Sequence, residues 1–118
     1  MQNPLQITFH GIDHSEAVET RIREKVAKLE QLYDRITSCR VVIEMHHKNT
    51  SNLHHKGEPF HIRIDLTLPG AELVVKRDPK ESHINEDIFV ALRDAFQAME
   101  RQLKELLARQ RGEIKAHA

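Results

Sequence analysis

The alternation of apolar and polar residues across positions 60–68 constrains the fold of this chain more than any other feature. Apolar residues occupy every even position of the segment, and the odd positions carry His61, Arg63, Asp65 and Thr67. Because successive side chains of a strand point to opposite faces, this pattern predicts a half-buried β-strand. A sheet built around it has one polar face and one apolar face, and the apolar face requires a covering layer.

Three further segments are predicted as strands of the same sheet. Residues 5–10 and 40–46 show the same alternation, and residues 72–76 return after a turn signal at Pro69-Gly70. The side chains expected to face inward are those of Leu5, Ile7, Phe9, Val41, Ile43 and Met45.

Two amphipathic helices are predicted, from about residue 15 to 33 and from about residue 85 to 109. Asp13 is the predicted N-cap of the first helix, with Glu16 as its capping-box partner, and Gly112 is predicted to mark the end of the second. Their apolar stripes are Val18, Ile22, Val26, Leu29 and Leu32, and Ile88, Leu92, Phe96, Met99, Leu103 and Leu106.

The resulting order of elements is β-α-β-β-β-α, which predicts an α+β fold. Because the strands have one apolar face, both helices are expected to pack on that face of a four-stranded sheet, as a two-layer sandwich. We expect one domain over residues 1–112 and a short C-terminal tail over residues 113–118.

The composition limits the class of protein. Eighteen basic and 18 acidic residues give a formal net charge of zero with histidine neutral, which is not the basic excess typical of nucleic-acid binding. Steering of a charged partner depends, however, on where the charges lie. The single cysteine cannot form an intramolecular disulfide, and no signal-peptide pattern or apolar run of about 20 residues is present. We therefore expect a soluble cytoplasmic protein without a membrane partner.

The sequence contains no recognisable catalytic motif. A glycine-rich phosphate loop, a GxSxG elbow and an HExxH pair are all absent. Cys39 begins a strand and is expected to be structural, because an activated thiol needs a cationic and accessible environment. Glu44 and Asp65 are expected on the polar face of the sheet. Arg40 and Arg63 would balance the charges of these carboxylates, so we do not expect them to act in acid–base catalysis. We therefore expect neither an enzyme nor a cofactor.

Basic residues on the two helices share faces. Lys25 and Lys28 are three positions apart, with Arg21 one turn earlier, and Arg101 and Lys104 repeat the spacing. Such residues are either solvated and paired with acidic neighbours, or they form a surface that binds phosphate.

The solvated alternative predicts ion pairs within each helix. Glu24 and Lys28 are four positions apart, as are Glu100 and Lys104, which is the spacing of intrahelical salt bridges.

Two helical segments bear on this choice. The end of the first helix and the following turn have the sequence AKLEQLYDRI at 27–36, and CRVVI follows at 39–43. The second helix contains MERQLK at 99–104. These segments resemble the ribosome hibernation promoting factor and ribosome-associated inhibitor family, also described as sigma-54 modulation protein-like, in its short form. Its members have the element order that the patterns predict independently.

The resemblance implies a translation inhibitor that binds the small ribosomal subunit between head and body. It would occlude the messenger and transfer RNA sites without catalysis. Long members of the family add a C-terminal domain, which is not expected here. The residues that the resemblance implies in contact with ribosomal RNA are Arg21, Lys25, Lys28, Arg35, Lys76, Arg77, Arg93, Arg101, Lys104 and Arg109.

The positions of the aromatic residues indicate how the protein would recognise RNA. RNA-binding sheets of the RRM type display aromatic rings on their open face. Phe9 and Phe60 fall on the apolar, helix-covered face by alternation. This placement favours contacts with the RNA backbone over base stacking.

The His-rich stretch 46–61 supports a rival hypothesis, a small protein-interaction or metal-responsive module. It contains the doublets His46-His47 and His54-His55. Their spacing matches no standard zinc pattern and no cysteine lies nearby, so a solvated polar loop is favoured over a metal site. A loop that contacts RNA is a third alternative. The sequence leaves open the oligomeric state and whether the protein promotes or opposes ribosome pairing.

We predict that folding needs no metal. A structural metal would contribute directly to the free energy of folding, so its removal would lower the melting temperature. Adding a chelator, or replacing all four histidines of the two doublets, should leave the thermal unfolding of purified untagged protein unchanged. Stoichiometric zinc in that preparation, or a large drop in melting temperature on chelation, would contradict the prediction.

Overall fold

A computed structural model describes residues 1–45, 60–78 and 87–112 of this chain. The predicted β-α-β-β-β-α order and the two-layer α+β fold are confirmed. Residues 46–59 of the His-rich stretch, part of the charged loop after the last strand, and the C-terminal tail lie outside the described residues, whereas His61 belongs to β3. The elements are β1 (Gln6–His10), α1 (Glu16–Leu32), β2 (Ser38–Met45), β3 (Phe60–Leu68), β4 (Ala71–Arg77) and α2 (Ile88–Gln110).

The four strands form one mixed sheet in the order β1-β2-β3-β4. β1 and β2 are parallel and are connected through α1, whereas β2, β3 and β4 pair antiparallel. The β3–β4 turn has Gly70 at a φ of 77°, in the left-handed region that favours glycine. The predicted Pro69-Gly70 turn is therefore confirmed, and the predicted strand 60–68 matches β3 at both ends.

The apolar face of the sheet and the inner faces of both helices form one core. Phe9 and Phe60 pack against it from its rim, on the helix-covered side as predicted. Ala91 and Ala95 are also buried, which the predicted stripe did not include; small side chains suit a close approach of α2 to the sheet. The side chains with no exposed surface are Val41, Ile43, Ile64 and Leu66 of the sheet, Ile22 of α1, and Ala91, Leu92, Met99 and Leu103 of α2.

The predicted inward position of Leu32 is wrong. Its side chain is 37% exposed, and Tyr33 packs against the core instead. Leu29 is the last buried residue of α1, and the Tyr33 N–H donates to the Leu29 carbonyl where the helix ends. The position four residues after Leu29, rather than three, therefore faces the sheet.

The two helices run parallel to each other across the sheet. The Arg77 guanidinium of β4 contacts Asp94, and the Gln102 side chain donates to the Val74 carbonyl at 3.4 Å, so α2 runs antiparallel to β4. The Arg21 guanidinium lies 4.8 Å from the centre of the Phe89 ring, which places the beginnings of α1 and α2 together.

The N-terminus of α1 differs from the prediction. Ser15 is the N-cap, with extended backbone angles, and its hydroxyl accepts a hydrogen bond from the Val18 N–H at 3.3 Å. Because Glu16 is already the first helical residue, the position of a capping-box acid is occupied by Val18. The predicted capping box from Asp13 to Glu16 is therefore wrong.

The start of α2 also has a clear cap. The Asp87 carboxylate accepts from the Phe89 N–H at 2.9 Å, and the helix begins at Ile88. The predicted start near residue 85 lies outside the described residues. At the other end, Gly112 adopts a φ of 77° and its N–H donates to the Arg109 carbonyl, as expected of a glycine that ends a helix.

The two candidate caps of α1 can be separated by mutation. Ser15→Ala should lower the free energy of unfolding by about 0.5–2 kcal/mol, because it leaves a backbone N–H without its acceptor. Asp13→Ala should change it by less than about 0.5 kcal/mol, as a surface substitution does. Urea denaturation measures both, and an equal or larger loss for Asp13→Ala would show that Ser15 is not the cap.

Candidate nucleic-acid interface

A groove between the two helices collects basic side chains that are far apart in sequence. Lys25 and Lys28 of α1 lie along one wall, and Arg93 and Glu100 of α2 lie along the other. Because the helices are parallel, successive turns of α1 and α2 face each other, and this brings the cations together. The predicted pair Lys25 and Lys28 does share one face.

The surface continues along α2. Arg101 and Lys104 line a shallow depression with Glu105 and with Gln97 and Glu100, the last two of which also border the groove. Arg21 lies at the other end of the groove, where its contact with the Phe89 ring fixes the guanidinium. We call this set the helix-face cluster; its members are Arg21, Lys25, Lys28, Arg93, Arg101 and Lys104.

Pairing within the helices leaves part of this positive charge available. Glu100 contacts Lys104 at 3.1 Å, which confirms one predicted ion pair. Glu24 contacts Arg21 at 3.5 Å instead of Lys28, so the predicted Glu24–Lys28 pair is wrong. Arg21 lies three positions before Glu24 and Lys28 lies four positions after it, and both spacings place side chains next to each other on a helix.

Three cations of the helix-face cluster are therefore without an ion pair in the part of the chain that the structure describes. Lys25, Lys28 and Arg101 have no ion pair with any residue in 1–45, 60–78 or 87–112. Lys28 and Arg101 are exposed, so their charges are accessible to a partner.

Lys76 and Arg77 lie on opposite faces of the sheet. Arg77 points to the helix side and contacts Asp94 at 3.1 Å with a side chain that is only 13% exposed. Asp94 also accepts from its neighbour Arg93 at 3.3 Å, so the carboxylate that joins α2 to Arg77 of β4 is shared with an arginine of α2. Lys76 lies on the uncovered face, away from the helix-face cluster.

Arg35 and Arg109 lie beyond the groove. Arg35 is exposed in the turn after α1, and Arg109 is exposed in the last turn of α2. Because the helices are parallel, both arginines lie at the same end of the molecule. They extend the positive surface at that end without sharing the groove.

The uncovered face of the sheet contains cations that the sequence argument treated only as counterions. Arg63 contacts both carboxylate oxygens of Asp65, at 3.2 and 3.1 Å, as expected. Arg40 has no ion-pair partner among the described residues. The alternation of β2 and β3 already places Arg40 and Arg63 on one face, and the signal that was missed is their register with Lys76 on β4.

The described residues contain no helix that is long and apolar enough to cross a membrane. They also contain no group of three or more metal-ligating side chains, and both histidine doublets lie outside them.

Comparison with known proteins assigns the chain to a family. Residues 5–111 match the family described as Sigma 54 modulation protein / S30EA ribosomal protein. The chain belongs to this family. A ribosome hibernation promoting factor of Azotobacter vinelandii is 27% identical over 115 residues, which cover 92% of this chain and 91% of that protein.

Solved structures share the fold of this family member. A ribosomal subunit interface protein from Coxiella burnetii superimposes with a TM-score of 0.68 at 16% identity, covering 88% of this chain and 97% of that one. The N-terminal domain of Protein Y from Thermus thermophilus gives a TM-score of 0.64 at 18% identity, with coverages of 86% and 94%. At these identities the similarity establishes the fold.

Members of the family are binding proteins without enzymatic activity, and the environment of Cys39 agrees. The thiol is buried with 1% of its surface exposed. Burial, with smaller contributions from the charges of Asp65 and Glu30, raises the pKa of Cys39 to about 12. A thiol of this kind is a structural residue of the core and a poor nucleophile.

The reactivity of Cys39 should therefore depend on unfolding. Raising the pKa from 9.0 to about 12 lowers the thiolate fraction near neutral pH by about a thousandfold. Iodoacetamide at a mildly alkaline pH should alkylate the protein quickly in concentrated urea and very slowly in native buffer, as measured by mass spectrometry. Similar rates in both conditions would place the thiol at an accessible position.

Proposed function

We propose that this protein is a ribosome hibernation factor that binds the small ribosomal subunit through phosphates of ribosomal RNA. Bound between head and body, it would occlude the messenger and transfer RNA sites and so inhibit translation. The binding unit is the domain of residues 1–112, acting in the cytoplasm. Membership of the family supports the ribosomal role, and the helix-face cluster is the observation that carries the RNA contact.

The distribution of charge explains how a neutral protein can bind RNA. The sums of basic and acidic residues are equal, but Lys25, Lys28 and Arg101 have no described acidic partner and lie along one surface. Phosphate binding depends on such local excess, because lysine and arginine displace the counterions condensed on the RNA backbone.

The position of the aromatic rings favours recognition of the RNA backbone. Phe9 and Phe60 pack on the covered face of the sheet, and Phe89 lies beneath the Arg21 guanidinium. Rings used in this way are not available to stack on unpaired bases. The interaction therefore relies on charge and shape, and its affinity should fall with salt.

The rival hypothesis of a small protein-interaction or metal-responsive module rests on the zero net charge and the His-rich stretch. No observation in residues 1–45, 60–78 and 87–112 favours it.

Sedimentation with ribosomes tests the proposal. The folded protein should co-sediment with the small subunit or with intact ribosomes at low salt, and should inhibit a reconstituted translation system. Replacing Lys28 and Arg101 together by alanine should weaken binding and flatten its salt dependence. Counterion release predicts a loss of about 0.7–0.9 in the log–log slope for each lost contact, and so about 1.4–1.8 for both.

Arg23→Ala is the matched control. It also removes a positive charge from α1, but Arg23 lies off the groove and contacts Glu19 at 2.7 Å. Its affinity and slope should equal those of the wild type. Absence of binding by the folded wild type at low ionic strength would refute the ribosomal role. An unchanged slope in the double variant would place the RNA contact on another surface.

A further inference from the structure

The open sheet face, which is the side of the sheet without helices, arranges its side chains in rows across the strands. One row runs from Thr8 through Val42 and Arg63 to Lys76. Its two charged members are both positive and lie directly opposite each other on β3 and β4. Side chains at such positions have Cβ atoms about 4.5–5.5 Å apart, and like charges there destabilise the pair.

Arg40 adds a third cation in the neighbouring row, where Asp65 lies directly opposite it on β3. It lies on β2, two residues before Val42, and is therefore a diagonal neighbour of Arg63 across the β2–β3 pair. Diagonal neighbours on adjacent strands are within reach of long side chains. Arg63 thus lies between Arg40 on β2 and Lys76 on β4, and we call the three residues the sheet-face cations.

The acidic residues of the same face are largely occupied by other partners. Asp65 holds the Nε atom of Arg63 through both oxygens. Asp78 contacts the His61 ring at 2.9 Å. Glu44 lies in the neighbouring row, between His10 and His61 in the register.

Two of the sheet-face cations are therefore without an ion pair among the described residues. Arg40 and Lys76 have no ion pair with any described residue. Arg63 contacts Asp65 through its Nε atom. The two terminal nitrogens of the same guanidinium can donate hydrogen bonds to an oxyanion.

The sheet-face cations line a depression. One hollow on the open face is lined by the three sheet-face cations and by the carboxylates of Glu44, Asp65 and Asp78. A second hollow shares Arg40, Arg63 and Asp65 with the first and extends toward Glu72. An extended or branched anion can therefore reach them from solvent.

We propose that Arg40, Arg63 and Lys76 form a binding site for a phosphate group on the open sheet face. A phosphate placed beside Arg63, the central residue of the three, offers an oxygen to each cation and offsets the repulsion between Arg63 and Lys76. The site is on the opposite side of the sheet from the helix-face cluster, so it goes beyond the proposed contact with ribosomal RNA. The phosphate belongs either to a phosphodiester of an RNA strand or to a monoester such as a nucleotide.

Nuclear magnetic resonance of the full chain tests this site. Inorganic phosphate, adenosine monophosphate and a short single-stranded RNA with a 5′-hydroxyl end are titrated separately into phosphate-free buffer. The site predicts shifts of the backbone amides of residues 40, 63 and 76 with at least one of the three. Shifts with the RNA identify a phosphodiester, because this RNA has no monoester; shifts with adenosine monophosphate or phosphate only identify a monoester.

Lys76→Gln is the decisive variant, and Arg23→Gln, with the same change of charge on α1, is its control. Lys76→Gln should weaken the binding that shifts these amides by about tenfold or more, because it removes a charged hydrogen-bond donor. The control should retain the wild-type affinity. Absence of shifts at the three positions with every probe, or equal affinities in wild type and Lys76→Gln, would overturn the proposal.

Thermal unfolding supplies an independent measurement. Without phosphate, Lys76→Gln should have a melting temperature equal to or above that of the wild type, because it relieves a like-charge pair. The ligand found by titration should raise the melting temperature of the wild type more than that of the variant. A lower melting temperature for ligand-free Lys76→Gln would show that Lys76 stabilises the fold and would overturn the proposal. Neither measurement uses ribosomes, so both test the phosphate site separately from the proposed ribosomal role.

Discussion

Burial of one face of a four-stranded sheet under two helices is the interaction on which the rest of this structure depends. Ile43, Ile64 and Leu66 of the sheet lose all their exposed surface against residues such as Ile22 and Met99 of the helices. Removal of this apolar surface from water is the main favourable term in folding. It also fixes both helices side by side, so their outer faces become one surface and the other side of the sheet remains open to solvent.

The two layers give a protein of zero net charge two surfaces with cations that have no ion pair among the described residues. On the helix side, Lys28 and Arg101 are far apart in the chain but lie on one surface, and neither has a described acidic partner. On the open side, Arg40 and Lys76 are in the same situation. Between the two surfaces, Asp94 contacts both Arg77 and Arg93 where β4 meets α2.

Most of the fold could be predicted from the sequence because its signals are local. Alternation over residues 60–68 defines β3, and helical spacing from Val18 to Leu29 defines the buried stripe of α1. Errors occurred at element ends, where Ser15 rather than Asp13 caps α1 and Tyr33 rather than Leu32 reaches the core. At these ends several residues can satisfy the same local rule, and packing against the sheet selects among them.

The sequence by itself determined which residues are inside and which are outside over most of the strands and helices, since the period of a strand or helix is a property of the local backbone. The resemblance of its helical segments identified the family. Only the tertiary structure decided which outward residues meet. Lys76 and Arg77 are neighbours in the chain but lie on opposite faces of the sheet, one beside Arg63 and the other against Asp94. Register between strands and the parallel course of the helices set these contacts, and both arise from packing of segments that are distant in sequence.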